Sequence, residues 1–150
     1  MSAPDGGKAA RIARGVQKLL YDMGYDSLRE VKLRTRRRVD VMGINDKGRI
    51  IIVEVKSGPA DYRVDEKWSD YLEFCDAFYF AVDADFPKTL IPEENGLIIT
   101  DGFTGAILRP SMDFQLNAAR RRNVTLRFAR IAARRLLAGE LSINDRLQLL

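Results

Sequence analysis

The spacing of apolar residues predicts a helix at the start of the chain. Ile12, Val16 and Leu20 lie four residues apart, as on one face of an amphipathic helix. Gly24 is a typical helix stop, so we predict a first helix over residues 8–24.

Further along, the pattern changes to runs rich in β-branched and aromatic residues, which are typical of strands. The predicted strands cover residues 28–34, 37–44, 49–56, 77–82, 97–100 and 106–108. Residues 77–82 are apolar throughout, as in a strand covered on both faces. A second helix is predicted over Tyr62–Phe74 and a last helix over residues 115–138. This order of elements predicts an α/β fold, with helices packed on a central mixed sheet.

The strands at 37–44 and 49–56 are predicted to pair as an antiparallel hairpin. A short stretch of turn residues that ends in Gly48 joins them. With Gly48 in the left-handed position of a three-residue loop, Asn45 pairs with Arg49. Counting back from this pair then determines which residues of the two strands face each other.

This register places Asp40 opposite Glu54, with their Cβ atoms about 5 Å apart. Lys56 shares a face with Glu54, because side chains alternate along a strand. Two carboxylates so close repel each other, so we predict a hard cation such as Mg²⁺ between them. Such a cation can activate a water, which Lys56 can orient while it stabilises negative charge. The alternative is a solvated face on which acid and lysine pair, and the flanking apolar runs disfavour it.

The composition excludes several kinds of catalytic site. The chain has no histidine, which excludes Ser-His-Asp triads and histidine-ligated zinc or haem. Its single cysteine, Cys75, allows no internal disulfide and no cysteine-rich zinc site, and its apolar neighbours favour a buried role. Carboxylates, lysine, hydroxyls and a metal remain for catalysis, and the predicted cofactor is Mg²⁺ or Mn²⁺.

Length and hydropathy predict one domain over residues 1–150, with residues 1–7 flexible. No apolar stretch reaches the roughly 18 residues of a membrane-spanning helix, and the polar start lacks a secretory apolar segment. We therefore expect a cytoplasmic protein that associates with no membrane and has no disulfide-linked partner. A homodimer is compatible with the sequence.

The net charge of +4 hides a segregation of charge along the chain. Residues 1–58 carry 13 Lys/Arg against 7 Asp/Glu, residues 59–110 carry 4 against 11, and residues 111–150 carry 8 against 3. Clustered arginines and a pI of about 9.4 are typical of proteins that bind nucleic acid. DNA is therefore a predicted partner, although many basic proteins touch no DNA.

The last predicted helix has a basic stripe. At 100° per residue, four arginines fall within it: Arg120, Arg127, Arg130 and Arg134. The apolar residues expected to pack away from the stripe are Phe128, Ala129, Ala132, Ala133 and Leu136. The stripe is either a face that binds DNA or a solvated face.

Arginines also precede the first carboxylate. Alternation sends Arg36 and Arg38 to the carboxylate face, where they could bind a phosphate beside the metal, and Arg37 to solvent. On the second predicted helix, Trp68 and Tyr71 are expected in the core, with base stacking as the alternative.

Together these features resemble the PD-(D/E)XK nuclease superfamily, because Asp40 is followed after thirteen residues by Glu54-Val55-Lys56, with a helix on either side. More narrowly, longer runs of the chain resemble the MmcB family of bacterial DNA-repair-related proteins. These runs are residues 38–43, 51–58, 67–71 and 79–83, together with the arginine-rich final helix. The likeness extends from about residue 8 to residue 138.

The resemblance implies a restriction-endonuclease-like α/β/α sandwich around a mixed four-stranded sheet, and metal-dependent hydrolysis of DNA in repair. Asp40, Glu54 and the Val55 backbone carbonyl match the metal ligands by position. Lys56 matches the catalytic lysine. The alternative is a catalytically weak or inactive DNA-binding module that recruits repair factors, since a fold can outlast its chemistry.

Nucleic-acid contacts are also expected from Ser57, Lys67 and Tyr71. Lys67 stands where related nucleases often carry a glutamine. Val39 stands where the motif name has proline, a residue that many members lack.

The first helix departs from the family pattern, because it lacks the glutamate that many members use as a further metal ligand. Gln17 and Asp22 are the nearest substitutes in that helix. If neither residue replaces it, either the site works with one metal ion or Glu30 supplies the missing oxygen ligand.

Overall fold

The computed structural model describes residues 7–60 and 68–141 of the chain, so most of the segment expected to be flexible, residues 1–6, lies outside the described part. The helices are α1 (Lys8–Asp22) and α2 (Ala118–Glu140). The strands are β1 (Tyr25–Lys32), β2 (Arg38–Asn45), β3 (Ile50–Val55), β4 (Ala77–Val82), β5 (Gly96–Thr100) and β6 (Gly105–Arg109). Two 3₁₀ helices are formed by Trp68–Phe74 and Lys88–Leu90. No described helix is long and apolar enough to cross a membrane.

The strands form one mixed sheet in the order β1-β2-β3-β4-β5-β6. The three central strands β3, β4 and β5 run parallel to one another. The pairs β1–β2, β2–β3 and β5–β6 are antiparallel. The sheet thus has six strands, and the four-stranded sheet implied by the resemblance is wrong, because β1 and β6 extend both edges by antiparallel pairing.

Helices cover both faces of the sheet. On one face α1 buries Ile12 and Val16 against residues of β2 and β3. On the other face Val124 of α2 and Phe74 of the first 3₁₀ helix pack on Phe78 of β4. The predicted α/β fold, with a mixed sheet between helices, is therefore confirmed.

Most element boundaries follow the sequence pattern. α1 ends at Asp22, and Gly24 adopts the positive φ of +91° that its stop role requires. β4 is buried along its whole length, as its apolar run predicted. β1 begins at Tyr25, three residues before the predicted start, because the Tyr25 side chain is buried with the residues of α1.

The second predicted helix differs from the expectation. Its last part, Trp68–Phe74, is a 3₁₀ helix, and its first part, residues 62–67, lies outside the described residues. Trp68 and Tyr71 stack on Phe78, with ring centroids 5.9 and 6.2 Å apart, so their expected core role is confirmed. Tyr71 is only 5% exposed, so its ring offers no surface for base stacking.

Cys75, the only cysteine, is fully buried in the same core. Burial, reinforced by the charge of Asp76, raises the pKa of its thiol. A thiol with a raised pKa carries little thiolate at neutral pH, so the expected apolar role is confirmed.

The hairpin of β2 and β3 has the predicted register. Gly48 adopts a φ of +78°, and the Asn45 N–H donates to the Arg49 carbonyl at 3.1 Å. The Asn45 side chain stabilises the turn, because its oxygen accepts the Arg49 N–H at 2.8 Å. Backbone pairing then continues from Ile44 and Ile50 along both strands.

α2 packs on the sheet with a different face from the predicted one. Val124 is buried, and Phe128 and Ile131 pack partly buried against the core. The residues that were expected to pack but are exposed are Ala129, Ala133 and Leu136. The packing face is thus rotated from the predicted one, of which Phe128 and Ala132 remain partly buried.

Two arginines of α2 explain this rotation. Arg121 donates two hydrogen bonds of 2.6 Å to the carboxylate of Asp76. Arg135 donates to the carbonyls of Arg29 and Glu30 at 2.6 and 2.8 Å. Both guanidinium groups therefore lie on the sheet side of the helix, where a hydropathy pattern predicts apolar side chains.

Candidate active site at the β2–β3 fork

The backbone pairing between β2 and β3 stops at Val41 and Val53, and two carboxylates continue it. The Asp40 N–H donates to Oε1 of Glu54 at 3.0 Å. The Val55 N–H donates to Oδ2 of Asp40 at 2.8 Å. We call this point, formed by Asp40, Glu54 and Val55, the fork. Because each carboxylate is bound by the backbone of the other strand, both acids are held at one place.

Lys56 lies beside the fork, directly after β3, and its backbone faces β4. Its N–H donates to the Ala81 carbonyl at 2.9 Å, which continues the parallel pairing of β3 with β4. Glu54 is 5% and Lys56 3% exposed, whereas Asp40 is partly exposed. Charged side chains are seldom so buried unless they are paired, and all three residues have interaction partners. Glu54 and Lys56 are therefore largely excluded from water, whereas Asp40 at the fork reaches the surface.

The fork lies where ligands commonly bind in α/β proteins. β3 and β4 run parallel, and Lys56 follows directly on the carboxyl end of β3. Ligands in open α/β sheets bind outside the carboxyl ends of the strands. Ser57, the next residue, is partly buried at the same edge.

A family model described as "DNA repair protein MmcB-like" matches residues 2–142. The chain belongs to the MmcB-like family. No curated protein is similar enough to count as a match.

Among solved structures, the MmcB-like chain is similar to SPO1766 from Silicibacter pomeroyi, a protein of unknown function. The two are 42% identical with a TM-score of 0.85, over 91% of this chain and 97% of that one. A repair endonuclease from Pyrococcus abyssi aligns with 20% identity over 56% of this chain and 34% of that one. Its TM-score is 0.30, too low to support a conclusion.

The substitutes for a third acid lie away from the fork in this MmcB-like chain. Gln17 of α1 donates to Oγ of Ser27 at 3.0 Å, and Asp22 pairs with Lys18 at 2.7 Å. Both interactions face the start of β1 or solvent. Within residues 7–60 and 68–141, no three or more acid, histidine or cysteine side chains are grouped as a metal site. The first helix therefore contributes no acid there.

Glu30 is nearer in register. The pairs Arg29–Val41 and Val31–Val39 flank it, so Glu30 of β1 lies opposite Asp40 of β2. It is exposed and has a positive φ of 53°, which interrupts the regular strand at this point. Glu30 is thus an acid that lies near the fork in register, on the neighbouring strand β1.

The arginines before Asp40 do not all follow strand alternation. The Leu33 N–H donates to the Arg37 carbonyl, and the Arg36 N–H to the Leu33 carbonyl, so these residues form a tight turn. Arg36 has a left-handed φ of 71° within it. The prediction that Arg36 shares a face with Arg38 is therefore wrong, because alternation holds only in extended backbone.

Arg37 and Arg38 diverge as well. Arg37 forms an ion pair with Asp70 at 3.3 Å, so the prediction that it faces only solvent is wrong. Arg38 is exposed at the first position of β2, two residues from Asp40. Of these arginines, Arg38 has the placement expected for a phosphate contact near the fork. Lys67, the other predicted contact, lies outside the described residues.

The four arginines predicted as a stripe on α2 lie together along one groove, described below. Arg127 donates to the Lys32 carbonyl at 3.5 Å. Arg120 lies 4.7 Å above the Phe74 ring. Arg34, one of the arginines that precede Asp40, lines the same groove from the β1–β2 turn. The sequence indicated Arg34 as either a DNA contact or a solvated residue, but not its place beside α2.

Proposed function

We propose that this protein is a metal-dependent deoxyribonuclease of DNA repair with a PD-(D/E)XK fold, and that the fork is its active site. Two hydrogen bonds support the proposal, from the Asp40 N–H to the Glu54 carboxylate and from the Val55 N–H to the Asp40 carboxylate, because they hold two carboxylates at one place next to Lys56. Family membership supports a role in DNA repair.

The donor groups at the fork fit a hard divalent cation. Mg²⁺ prefers oxygen ligands and is commonly bound through one or two carboxylates. The Val55 N–H points to Asp40, and the N–H and C=O of a strand residue point to the same neighbour. The Val55 carbonyl thus adds a third oxygen on this side. Asp40, Glu54 and this carbonyl would hold Mg²⁺ or Mn²⁺.

The remaining groups suit phosphodiester hydrolysis. When bound, the cation would supply Lewis-acid chemistry, which eases deprotonation of water and offsets phosphate charge. The ammonium of Lys56 orients the attacking water and stabilises negative charge that develops on the phosphate oxygens. Its burial strengthens this effect, because charges interact more strongly where water is excluded. Arg38 binds a neighbouring phosphate.

One observation favours a second candidate function, a DNA-binding module without turnover. In the part of the chain that the structure describes, the fork has two acids, and α1 adds no third. A site with fewer ligands binds its cation less tightly. The same fold would then recruit repair factors to DNA rather than cut it.

A cleavage assay beside a binding assay discriminates between the two. The full chain is incubated with single-stranded, duplex, flapped and branched DNA, with Mg²⁺, Mn²⁺ or EDTA. The nuclease proposal predicts cleavage of at least one substrate with either metal and none with EDTA. Salt-dependent binding of DNA without any turnover would instead establish the recruiting module.

A further inference from the structure

A groove of about 440 Å³ separates α2 from the turn that joins β1 and β2. Among the residues that the structure describes, no acid lines it and five arginines do: Arg34, Arg120, Arg127, Arg130 and Arg134. The groove is therefore a concentrated positive charge, formed by two elements that are distant in sequence.

Three of these arginines are not used to hold the fold. Within residues 7–60 and 68–141, no hydrogen bond or ion pair engages the guanidinium of Arg34, Arg130 or Arg134. The groove's other two arginines have partners, since Arg120 lies 3.8 Å from Glu73 and Arg127 donates to β1. Like charges this close repel each other, so the groove suits an anionic ligand with several charges.

The groove also has an apolar component. Ile131 is partly buried along it, and Leu126 stands among the arginines with 52% of its surface exposed. Bases in a duplex are paired and stacked inside it, whereas bases of a single strand can pack on apolar side chains and on guanidinium planes. The combination of arginines with an exposed leucine thus favours an unpaired strand over a duplex.

The groove lies close to the fork along the chain. Its lining residue Leu33 pairs with Arg37, three residues before Asp40. At roughly 3.3 Å per strand residue, this separation is about 10 Å. A single strand of a few nucleotides bridges that distance.

We propose that the groove binds a single-stranded segment of DNA, with phosphates on the arginines and bases on Leu126 and Ile131. This rests on the proposed function for the choice of DNA as ligand. The preferred substrate is accordingly DNA with an unpaired stretch beside the cleaved bond, and not a continuous duplex.

Equilibrium binding to the full chain in EDTA tests the groove without cleavage. We would compare a labelled single strand with a duplex of the same sequence across a range of salt concentrations. Arg130→Ala is expected to weaken single-strand binding about tenfold at low salt and to reduce the salt slope by about 0.7. Arg122→Ala is the matched control, because Arg122 is exposed on the same helix and does not line the groove.

Leu126→Gln separates strand types. It keeps the charge and is expected to weaken binding of the single strand but not of the duplex. The proposal would be overturned if Arg130→Ala and Arg122→Ala weakened single-strand binding equally. It would also be overturned if Leu126→Gln weakened duplex binding as much as single-strand binding. Tight binding of an acidic peptide, with DNA binding insensitive to Arg130→Ala, would assign the groove to a protein partner instead.

Loss of the strand-binding proposal is distinguishable from loss of the nuclease proposal. A chain that cleaves DNA but whose Arg130→Ala variant binds a single strand like the wild type has no strand site in the groove. A chain that binds the strand through the groove but cuts no substrate retains the groove and loses the nuclease.

Discussion

Replacing Lys56 with methionine is expected to lower the rate of DNA cleavage by about 100- to 1,000-fold, the usual cost of removing one preorganised electrostatic group. Methionine keeps most of the length of this 3% exposed side chain, so the core stays filled while the charge is lost. Single-turnover cleavage rates of the two proteins measure the effect.

Glu54→Gln should act more strongly at the same fork. The glutamine oxygen can still accept the Asp40 N–H, so the pairing of β2 with β3 is preserved while the negative charge is removed. Cleavage is expected to fall below detection, and binding of DNA in EDTA to stay within about twofold, because the change removes no phosphate contact.

A matched control excludes a general effect of charge. Lys47→Met makes the same chemical change in the exposed turn between β2 and β3, and it should cleave like the wild type. If Lys56→Met and Glu54→Gln both retained the wild-type rate in protein purified in the same way, the observed cleavage would come from elsewhere.

The second large effect is on stability. Asp76 is 5% exposed and accepts the Ile50 N–H at 2.8 Å in addition to the two bonds from Arg121. Arg121 also donates to the Gly48 carbonyl at 2.8 Å, so the pair ties α2 to the β2–β3 turn. Arg121→Met leaves the Asp76 carboxylate buried without its cation and is expected to lower the free energy of unfolding by about 3 kcal/mol.

Urea denaturation of the two proteins at pH 7 measures this difference. Arg122→Met, one residue further along the exposed side of α2, is the control and should change the free energy of unfolding by less than about 0.5 kcal/mol. Equal midpoints for Arg121→Met and the wild type would show that the pair does not stabilise the fold.

The same pair predicts a pH dependence. Burial alone would raise the pKa of Asp76, but hydrogen bonds from Arg121 and the Ile50 N–H, with the charges of Arg121 and Arg49, outweigh burial and lower it. A folded pKa below the unfolded value gives stability that is present above the unfolded pKa and is lost as the pH falls through the folded one.

The wild type should therefore lose stability below about pH 4, near the ordinary aspartate pKa. In Arg121→Met the opposing hydrogen bonds and charge are gone and burial dominates, so this loss should shrink or reverse sign. Urea denaturation at several values between pH 3 and pH 7 tests the sign. An identical pH dependence in both proteins would contradict the assignment.

The hairpin and its carboxylates were predictable because local residues determine them. Gly48 and Asn45 set the turn, and the turn sets the register that brings Asp40 opposite Glu54. β4 was predictable for a similar reason, since an uninterrupted apolar run can only be buried on both faces.

The inward placement of two arginines of α2 could not be predicted, because it depends on partners far away in sequence, although the spacing of Val124, Phe128 and Ile131 was visible. Hydropathy predicts that arginine lies on the solvent-facing side of a helix, but Arg121 pairs with Asp76, 45 residues away, on the sheet side. The prediction for Arg36 failed for a local reason, since a left-handed φ in a residue other than glycine is rare. The groove of Arg34 and the α2 stripe depends on both of these features.

Titration of the full chain with Mn²⁺ by calorimetry tests the central claim, that Asp40 and Glu54 form a cation site, most directly. We expect one site in the wild type, weakened at least about tenfold by Asp40→Asn, because a carboxylate ligand is lost. Asp22→Asn, which changes an acid paired with Lys18 away from the fork, should bind as the wild type does. Unchanged Mn²⁺ affinity in a protein carrying both Asp40→Asn and Glu54→Gln would contradict the account.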